Sequence, residues 1–262
     1  MTDISGKVVW ITGASSGIGE AMAIDASRRG ARLVLSARRA PELERVRAAC
    51  TNLSQVAVLP VDLTDFNADD VAARAAAFFG PVDVLVNNAG ISQRSSVLQT
   101  SMDVYRRIFE LDFFAPVALT KAVLPAMVER GGGHVVTISS VVGYVGTPQR
   151  SGYAAAKHAV QGFFDAARAE LWRENVRFTT VCPGYIRTNV SMNAITADGQ
   201  AHGQMDRGQL RGMDAGVCAR KIWNAVAVDR DEIAIGKEAL IIWAKRFMPG
   251  AVAYGLKRAK VT

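Results

Sequence analysis

Short runs rich in β-branched and other apolar residues alternate along the chain with longer stretches whose apolar positions recur at helical spacing. The runs that read as strands are 8–12, 32–37, 55–61, 82–87, 134–139, 177–182 and 232–235. Between them the spacing predicts helices over 18–29, 41–49, 68–79, 103–129, 153–174 and 214–228. Strand runs that are apolar on both faces and separated by helices imply a parallel sheet covered on both sides. Seven of them in this order predict an α/β chain: a Rossmann-like, doubly wound, parallel seven-stranded sheet in a single domain, with ligands bound past the carboxyl ends of the strands.

Two stretches break the rhythm. Residues 185–213 follow a strand but are polar, carry Gly199, Gly203, Gly208 and Gly212, and show no sustained period. They predict a long mobile loop with a short helix, of the kind that serves as a lid over a site or is disordered. The division expected is a catalytic domain over 1–237, including this substrate loop, and a basic amphipathic extension over 238–262. The extension mixes Leu240, Trp243, Phe247 and Tyr254 with Lys245, Arg246, Lys257, Arg258 and Lys260, and breaks at Pro249-Gly250. Two short amphipathic helices there would fit a peripheral membrane contact, or would pack over the cleft or against a partner subunit.

Composition narrows the classes. With 262 residues, half of them apolar, the chain is long enough for one domain with a sizeable core. The formal charge of +7 is spread along the chain and interleaved with acids, so it predicts no nucleic-acid partner. An anionic cofactor, an anionic substrate or an anionic membrane surface accounts for the excess equally well. Cys50, Cys182 and Cys218 are odd in number and far apart, and read as reduced core thiols of a cytoplasmic protein. His134, His158 and His202 have no paired ligand spacing, so no metal site is expected. The first residues lack a basic region followed by an apolar run, and no stretch of about 18 uncharged apolar residues occurs. A cytoplasmic location is therefore expected, with peripheral contact at the inner face of a membrane through the extension.

The candidate chemistry lies where strands end. The first runs into Thr12-Gly-Ala-Ser-Ser-Gly-Ile-Gly19 with a helix starting inside the turn. Gly13 permits the tight turn, Gly17 lets backbone approach a pyrophosphate, Gly19 allows close packing, and the helix N-terminus offers free N–H groups. Tyr153 and Lys157 are four apart, so on a helix they share a face and the ammonium sits near the phenol. A free tyrosine keeps its proton to about pH 10, and a neighbouring cation favours the phenolate; reaching neutral pH takes roughly 4 kcal/mol. Such a phenol protonates an alkoxide in reduction or deprotonates an alcohol in oxidation. The second strand ends in Ala37-Arg38-Arg39 with no acid at its tip. A carboxylate there holds the ribose hydroxyls of NAD, whereas Arg pairs with a 2′-phosphate, so Arg38 predicts NADP(H) in preference to NAD(H).

The chain resembles the short-chain dehydrogenase/reductase family over essentially residues 6–235. The resemblance rests on the Thr12–Gly19 glycine spacing, Asn87-Asn-Ala-Gly90 ending the fourth strand, Ser140 thirteen residues before Tyr153, Tyr153-Ala-Ala-Ala-Lys157, and Pro183-Gly184 ending the sixth strand. It implies an oxidoreductase moving hydride between a nicotinamide and a carbonyl or secondary alcohol. Ser140 would hold the carbonyl oxygen, Tyr153 would exchange the proton, and Lys157 would also bind the nicotinamide ribose. By the same resemblance the cofactor would touch Gly13, Ser15, Ser16, Gly17, Ile18, Gly19, Arg38, Asp62, Leu63, Asn88, Ala89, Gly90, Tyr153, Lys157, Pro183, Gly184, Ile186 and Thr188. Where the family usually has an Asn supporting a water relay to the lysine, this chain has Asp112. A carboxylate at that place keeps the backbone carbonyl but adds a charge near Lys157. The 91–96 and 183–191 segments resemble the acyl-dihydroxyacetone-phosphate reductase-like and hydroxysteroid dehydrogenase-like branch, which implies a bulky hydrophobic ketone or alcohol. Arg94 and Arg187 read either as partners for an anionic head group or as exposed loop residues, and His202 as a solvated loop residue or a substrate contact. Homodimers or homotetramers through helices 103–129 and 153–174 are implied as well.

Overall fold

The protein is described here as a computed structural model covering residues 1–259. Seven strands are present: β1 (Val8–Thr12), β2 (Arg32–Ala37), β3 (Val56–Pro60), β4 (Val84–Asn87), β5 (Gly133–Ile138), β6 (Val176–Pro183) and β7 (Glu232–Ile235). They form one parallel sheet in the order β3-β2-β1-β4-β5-β6-β7. The order reverses between β1 and β4, so the loops after these two strands diverge and open a crevice at their carboxyl ends. Every residue of β1 is buried, which is why its pattern is a continuous apolar run and not an alternation.

Helices cover both faces. On one side α1 (Gly17–Arg28), α2 (Ala40–Ala48) and α8 (Ala215–Ala227) pack Met22, Leu43, Ile222 and Trp223 against Val9, Ile11, Leu33 and Leu35. On the other, α3 (Ala68–Phe79), α5 (Ala115–Glu129) and α6 (Ser151–Glu170) bring Val71, Leu119 and Phe164 onto Val8, Trp10, Val34 and Leu85. Within the sheet the buried Trp10 Nε1 donates to Ser36 Oγ at 2.8 Å.

The stretch expected as one helix over 103–129 is three pieces: α4 (Met102–Phe109), a π-helical turn (Glu110–Phe114) and α5. Pro116 has no N–H to give the Asp112 carbonyl, and Ala115 N–H reaches back to Glu110 O instead, so the turn widens. The 153–174 helix likewise ends at Glu170, followed by a single 3-10 turn (Trp172–Glu174). By length and apolar content the run Met102–Glu129 would suffice to cross a bilayer, contrary to the sequence expectation. Val104, Ile108, Leu119, Val123 and Met127 of this run are buried against the core.

The 185–213 segment contains α7 (Arg207–Leu210) and is tied down by lone bridges pairing Gln93 with Ile195, Ile186 with Met213 and Ile195 with Ala201. The extension forms α9 (Leu240–Phe247) and α10 (Pro249–Leu256), separated at Met248 as Pro249 dictates. Lys260, expected within its basic end, lies outside the described residues.

Candidate active site

The glycine turn is locked by the fourth strand's end. Thr12 Oγ1 donates to Val86 O at 3.1 Å and accepts from Asn88 N at 3.0 Å and Ala89 N at 3.1 Å. Asn88 Nδ2 donates to the carbonyls of Thr12 and Gly13. Gly13 has φ +62°, and a Cβ there would stand 2.8 Å from both Ala89 Cα and Asn88 Nδ2. Gly19 has no room for a Cβ against Asn88 and the Gly13 carbonyl. Two loops can approach this closely only because side chains are missing at these positions, and the space saved leaves backbone at the cleft wall.

A cleft of about 520 Å³ runs along the crevice. Gly13, Ser15, Ser16, Gly17 and Ile18 line its middle; Arg38, Asp62 and Leu63 line one end; Asn88, Ala89, Gly90, Tyr153, Lys157, Gly184, Ile186 and Thr188 line the rest. The structure thus brings most of the sequence-derived residues to one surface. Gly19 and Pro183 stand behind the wall, and Asp112 lies one layer deeper. Sequence reasoning passed over Ser139, Arg107, Ile91, Val190 and Ile195, which also face the cleft. For Ile91, Val190 and Ile195 the signal was faint, since an apolar loop residue reads the same whether it faces core or ligand.

At the Arg38 end, the Asp62 carboxylate accepts from Thr64 N at 3.0 Å and Thr64 Oγ1 at 2.7 Å. Partial burial pulls its carboxyl upward, but the Thr64 bonds and the charges of Arg38 and Arg107 outweigh this and hold it below the usual range. Arg38 itself is exposed and makes no ion pair among the described residues. Arg38 lines the cleft at this end.

At the other end Tyr153 is half-buried and Lys157 buried, one turn apart on α6. Lys157 Nζ lies 5.7 Å from the centre of the Tyr153 ring, donates to Ile138 O at 3.0 Å, and is 3.6 Å from Asp112 Oδ2. Asp112 projects from the π-helical turn and is fully buried; its Oδ1 accepts from Ile91 N at 2.7 Å, and Oδ2 has no hydrogen-bond partner among the described residues. Burial pushes the Asp112 carboxyl up, with the Lys157 charge and the Ile91 N–H opposing. The carboxylate expected only near the lysine is therefore its direct ionic neighbour.

Ser140 follows β5 by two residues but, unlike Ser139, does not line the cleft, and its hydroxyl is engaged. It accepts from Val142 N at 3.1 Å, capping a 3-10 turn (Val141–Gly143), and lies 3.5 Å from Pro183 O. The neighbouring Ser139 donates to Lys157 O and accepts from Gln161 Nε2, so it serves the helix backbone.

Arg94 differs from expectation. It is buried, and its guanidinium pairs with Asp206 and donates to Ser92 Oγ and Gln93 O. Such a residue is neither an exposed loop arginine nor free for a head group. Arg187 is exposed and reaches Asp214 at 3.1 Å. His202 is half-buried and off the cleft wall, with its N–H bonded to Ala194 O.

A strand-reversal cleft with a glycine turn at its middle and a Tyr–Lys pair at its end defines an oxidoreductase class, and the chain belongs to the short chain dehydrogenase family, whose model matches residues 7–199. It is 43% identical over 238 residues to a Drosophila melanogaster dehydrogenase/reductase SDR family protein 7-like, covering 88% of this chain and 73% of that one. It is 40% identical over 256 residues to the human dehydrogenase/reductase SDR family member 7, covering 94% and 76%. Among solved structures, a short-chain dehydrogenase from Streptomyces avermitilis superposes with TM-score 0.83 at 32% identity, covering 98% of this chain and 97% of that one.

Proposed function

We propose that the protein is an NADP(H)-dependent oxidoreductase that interconverts a carbonyl group and a secondary alcohol on a hydrophobic substrate, with Tyr153 as general acid and base. The observation that carries the reading is one cleft holding an uncommitted arginine at one end and the Tyr153–Lys157 pair at the other, joined by a side-chain-free turn. The space left by Gly13 and Gly17 and the N–H groups opening α1 fit a pyrophosphate. Arg38, with no acid at the tip of β2, fits a 2′-phosphate, and Lys157 fits a ribose hydroxyl. A nicotinamide bound there supplies or accepts the hydride.

The chain's own groups handle the proton and the oxygen. In reduction the Tyr153 hydroxyl gives its proton to the oxygen of the substrate carbonyl, and in oxidation takes it back. Ser140 orients that oxygen when its hydroxyl turns from Pro183 toward the cleft. Lys157, fixed by Ile138 O, stands beside the phenol ring and is placed to hold the ribose next to it. Asp112 anchors Lys157 from behind and is the chain's own substitute for the usual amide. Ile91, Val190 and Ile195 add apolar side chains to the cleft lining, which supports a hydrophobic ketone or alcohol.

Arg38→Ala is expected to weaken NADPH by about 10- to 100-fold, the effect of one charge-assisted contact, while NADH binding changes less than about twofold. Fluorescence titration with each nucleotide checks this, and equal losses would remove Arg38 from the phosphate end.

A second reading concerns the extension. Leu240, Trp243 and Phe247, at 73%, 66% and 72% exposure, make an apolar face without a partner among the described residues, flanked by Lys245, Arg246, Lys257 and Arg258, and Trp243 stacks on Phe247. This supports peripheral contact with an anionic membrane surface. Co-sedimentation with vesicles containing phosphatidylglycerol is expected to drop when residues after Lys237 are removed; no difference would leave this face to a partner subunit. Half-exposed Phe114, packed edge-on against Phe113 beside α6, supports a homodimer or homotetramer through α4, α5 and α6.

A further inference from the structure

Three separate pieces of chain meet in a buried polar knot immediately ahead of Tyr153. The loop after β4 contributes Ser92, Gln93 and Arg94; the entry to α6 contributes Arg150 and Gly152; the 185–213 segment contributes Ser191 and Asp206. Arg94, Arg150 and Asp206 are exposed by only 8%, 6% and 6%. Asp206 accepts from Arg94 through both carboxylate oxygens, Nε donating to Oδ1 at 3.4 Å and Nη2 to Oδ2. It also accepts from Arg150 Nη2 at 3.0 Å. Its own N–H donates to Ser191 Oγ at 3.2 Å.

The charge pattern explains why the carboxylate has to come from elsewhere. Arg150 is the residue at the N-terminal boundary of α6, where the helix dipole is positive and a cation is unfavourable. The first turn of α6 has no acidic residue to offset it. Asp206 supplies the missing negative charge from 56 residues away. Two guanidiniums converge on one carboxylate, and Arg150 Nε still has no partner among the described residues. Removing that carboxylate would leave two buried cations unpaired.

The same knot fixes the turn that carries Tyr153. Gln93 Oε1 accepts from Gly152 N at 2.7 Å, and Ser95 N donates to the carbonyl of Gln149, which is held at φ +61°. Arg94 N donates to Ile195 O at 2.8 Å and Ile195 N to Ser92 O at 2.9 Å, stitching the 185–213 segment to the same loop. Beyond Asp206, Gln209 of α7 donates to Ile186 O and Thr188 Oγ1, and Thr188 stands over Gly17. A single carboxylate therefore links the wall over the glycine turn to the helix end that bears Tyr153.

We infer that Asp206 is a positioning residue: it clamps the 185–213 segment between Arg94 and Arg150 and so sets the substrate wall against Tyr153. The inference rests on the proposed carbonyl chemistry for its kinetic consequence, but its structural consequence can be read without turnover. Arg207 follows Asp206 directly and Arg211 lies one turn further on, both exposed, so trypsin reports whether the segment is held.

In the full-length protein Asp206→Asn keeps shape and removes charge. Cleavage after Arg207 is expected to accelerate at least about tenfold, and the KM for an apolar ketone to rise about tenfold, with kcat falling less than about threefold and NADPH affinity within about twofold. Asp206→Glu is expected to restore most of the trypsin resistance. Unchanged proteolysis with unchanged KM would overturn the inference, as would equal losses in ketone and NADPH binding, which mark a role in folding alone. Should Asp206→Asn not fold, Arg94→Gln leaves the Arg150–Asp206 pair in place and is expected to show the same changes at smaller size; trypsin resistance equal to the parent would overturn the clamp. If no ketone is turned over by the parent protein, the functional reading fails and proteolysis alone decides the clamp.

Discussion

Tyr153→Phe is expected to lower kcat for ketone reduction by about a hundredfold to ten-thousandfold, the range that a positioned acid contributes, while NADPH affinity stays within about twofold. The phenyl ring keeps the volume of the tyrosine and its place against Lys157, so the cleft wall is preserved and only the exchangeable proton is lost. Lys157 remains fixed by Ile138 O and Asp112, neither of which depends on the phenol. Loss of rate with retained nucleotide binding, followed by the absorbance of NADPH, separates a chemical role from a structural one. Retained turnover would remove Tyr153 from the reaction.

A second large effect concerns stability and lies away from the cleft. His134 opens the interior part of β5, is 1% exposed, and is held between Thr2 Oγ1 at 2.9 Å and Thr179 Oγ1 at 2.8 Å. Burial pushes the imidazole down to about 4 from an ordinary 6.5; Asp229 opposes, while Arg177 and the chain N-terminus add to the lowering. A group depressed on folding binds its proton more readily when unfolded. Its stabilisation is therefore complete above about pH 6.5 and is lost as the pH falls toward about 4. The gap is worth about 3 kcal/mol. Urea unfolding midpoints for the parent protein are expected to fall across that window, and His134→Gln, which retains a donor and an acceptor for the two threonines, is expected to flatten the fall. An identical slope in the variant would show that other groups govern it.

All seven strands were legible from apolar runs, each within two residues of its place, because strands buried on both faces leave an unbroken signal. The glycine turn and the Tyr153–Lys157 pair were legible because their chemistry fixes spacing within one element. What periodicity could not show was the π-helical turn at Glu110–Phe114, since one extra residue in a turn does not disturb a long apolar stretch. Pro116 was the available sign, four residues after the carbonyl it leaves unbonded. The Arg94–Asp206–Arg150 knot was invisible for a different reason: its members are separated by 56 and 112 positions and meet only in the folded chain. Reading residues 185–213 as a mobile loop followed from their composition, whereas two buried ion pairs and backbone bridges tie them down. Ser140 was placed correctly after β5, but nothing in the sequence showed that its hydroxyl would be turned toward Val142 N and Pro183 O.

The central claim is that hydride passes between a nicotinamide and a carbonyl carbon in this cleft with Tyr153 exchanging the proton. It is tested most directly by supplying NADPH deuterated at the transferable position of nicotinamide C4, with a bulky apolar ketone, to the parent protein and Tyr153→Phe side by side. Mass spectrometry of the product alcohol is predicted to find deuterium on the carbinol carbon with the parent protein and almost no alcohol with the variant. Alcohol free of deuterium, or labelled alcohol formed equally fast by Tyr153→Phe, would contradict the account.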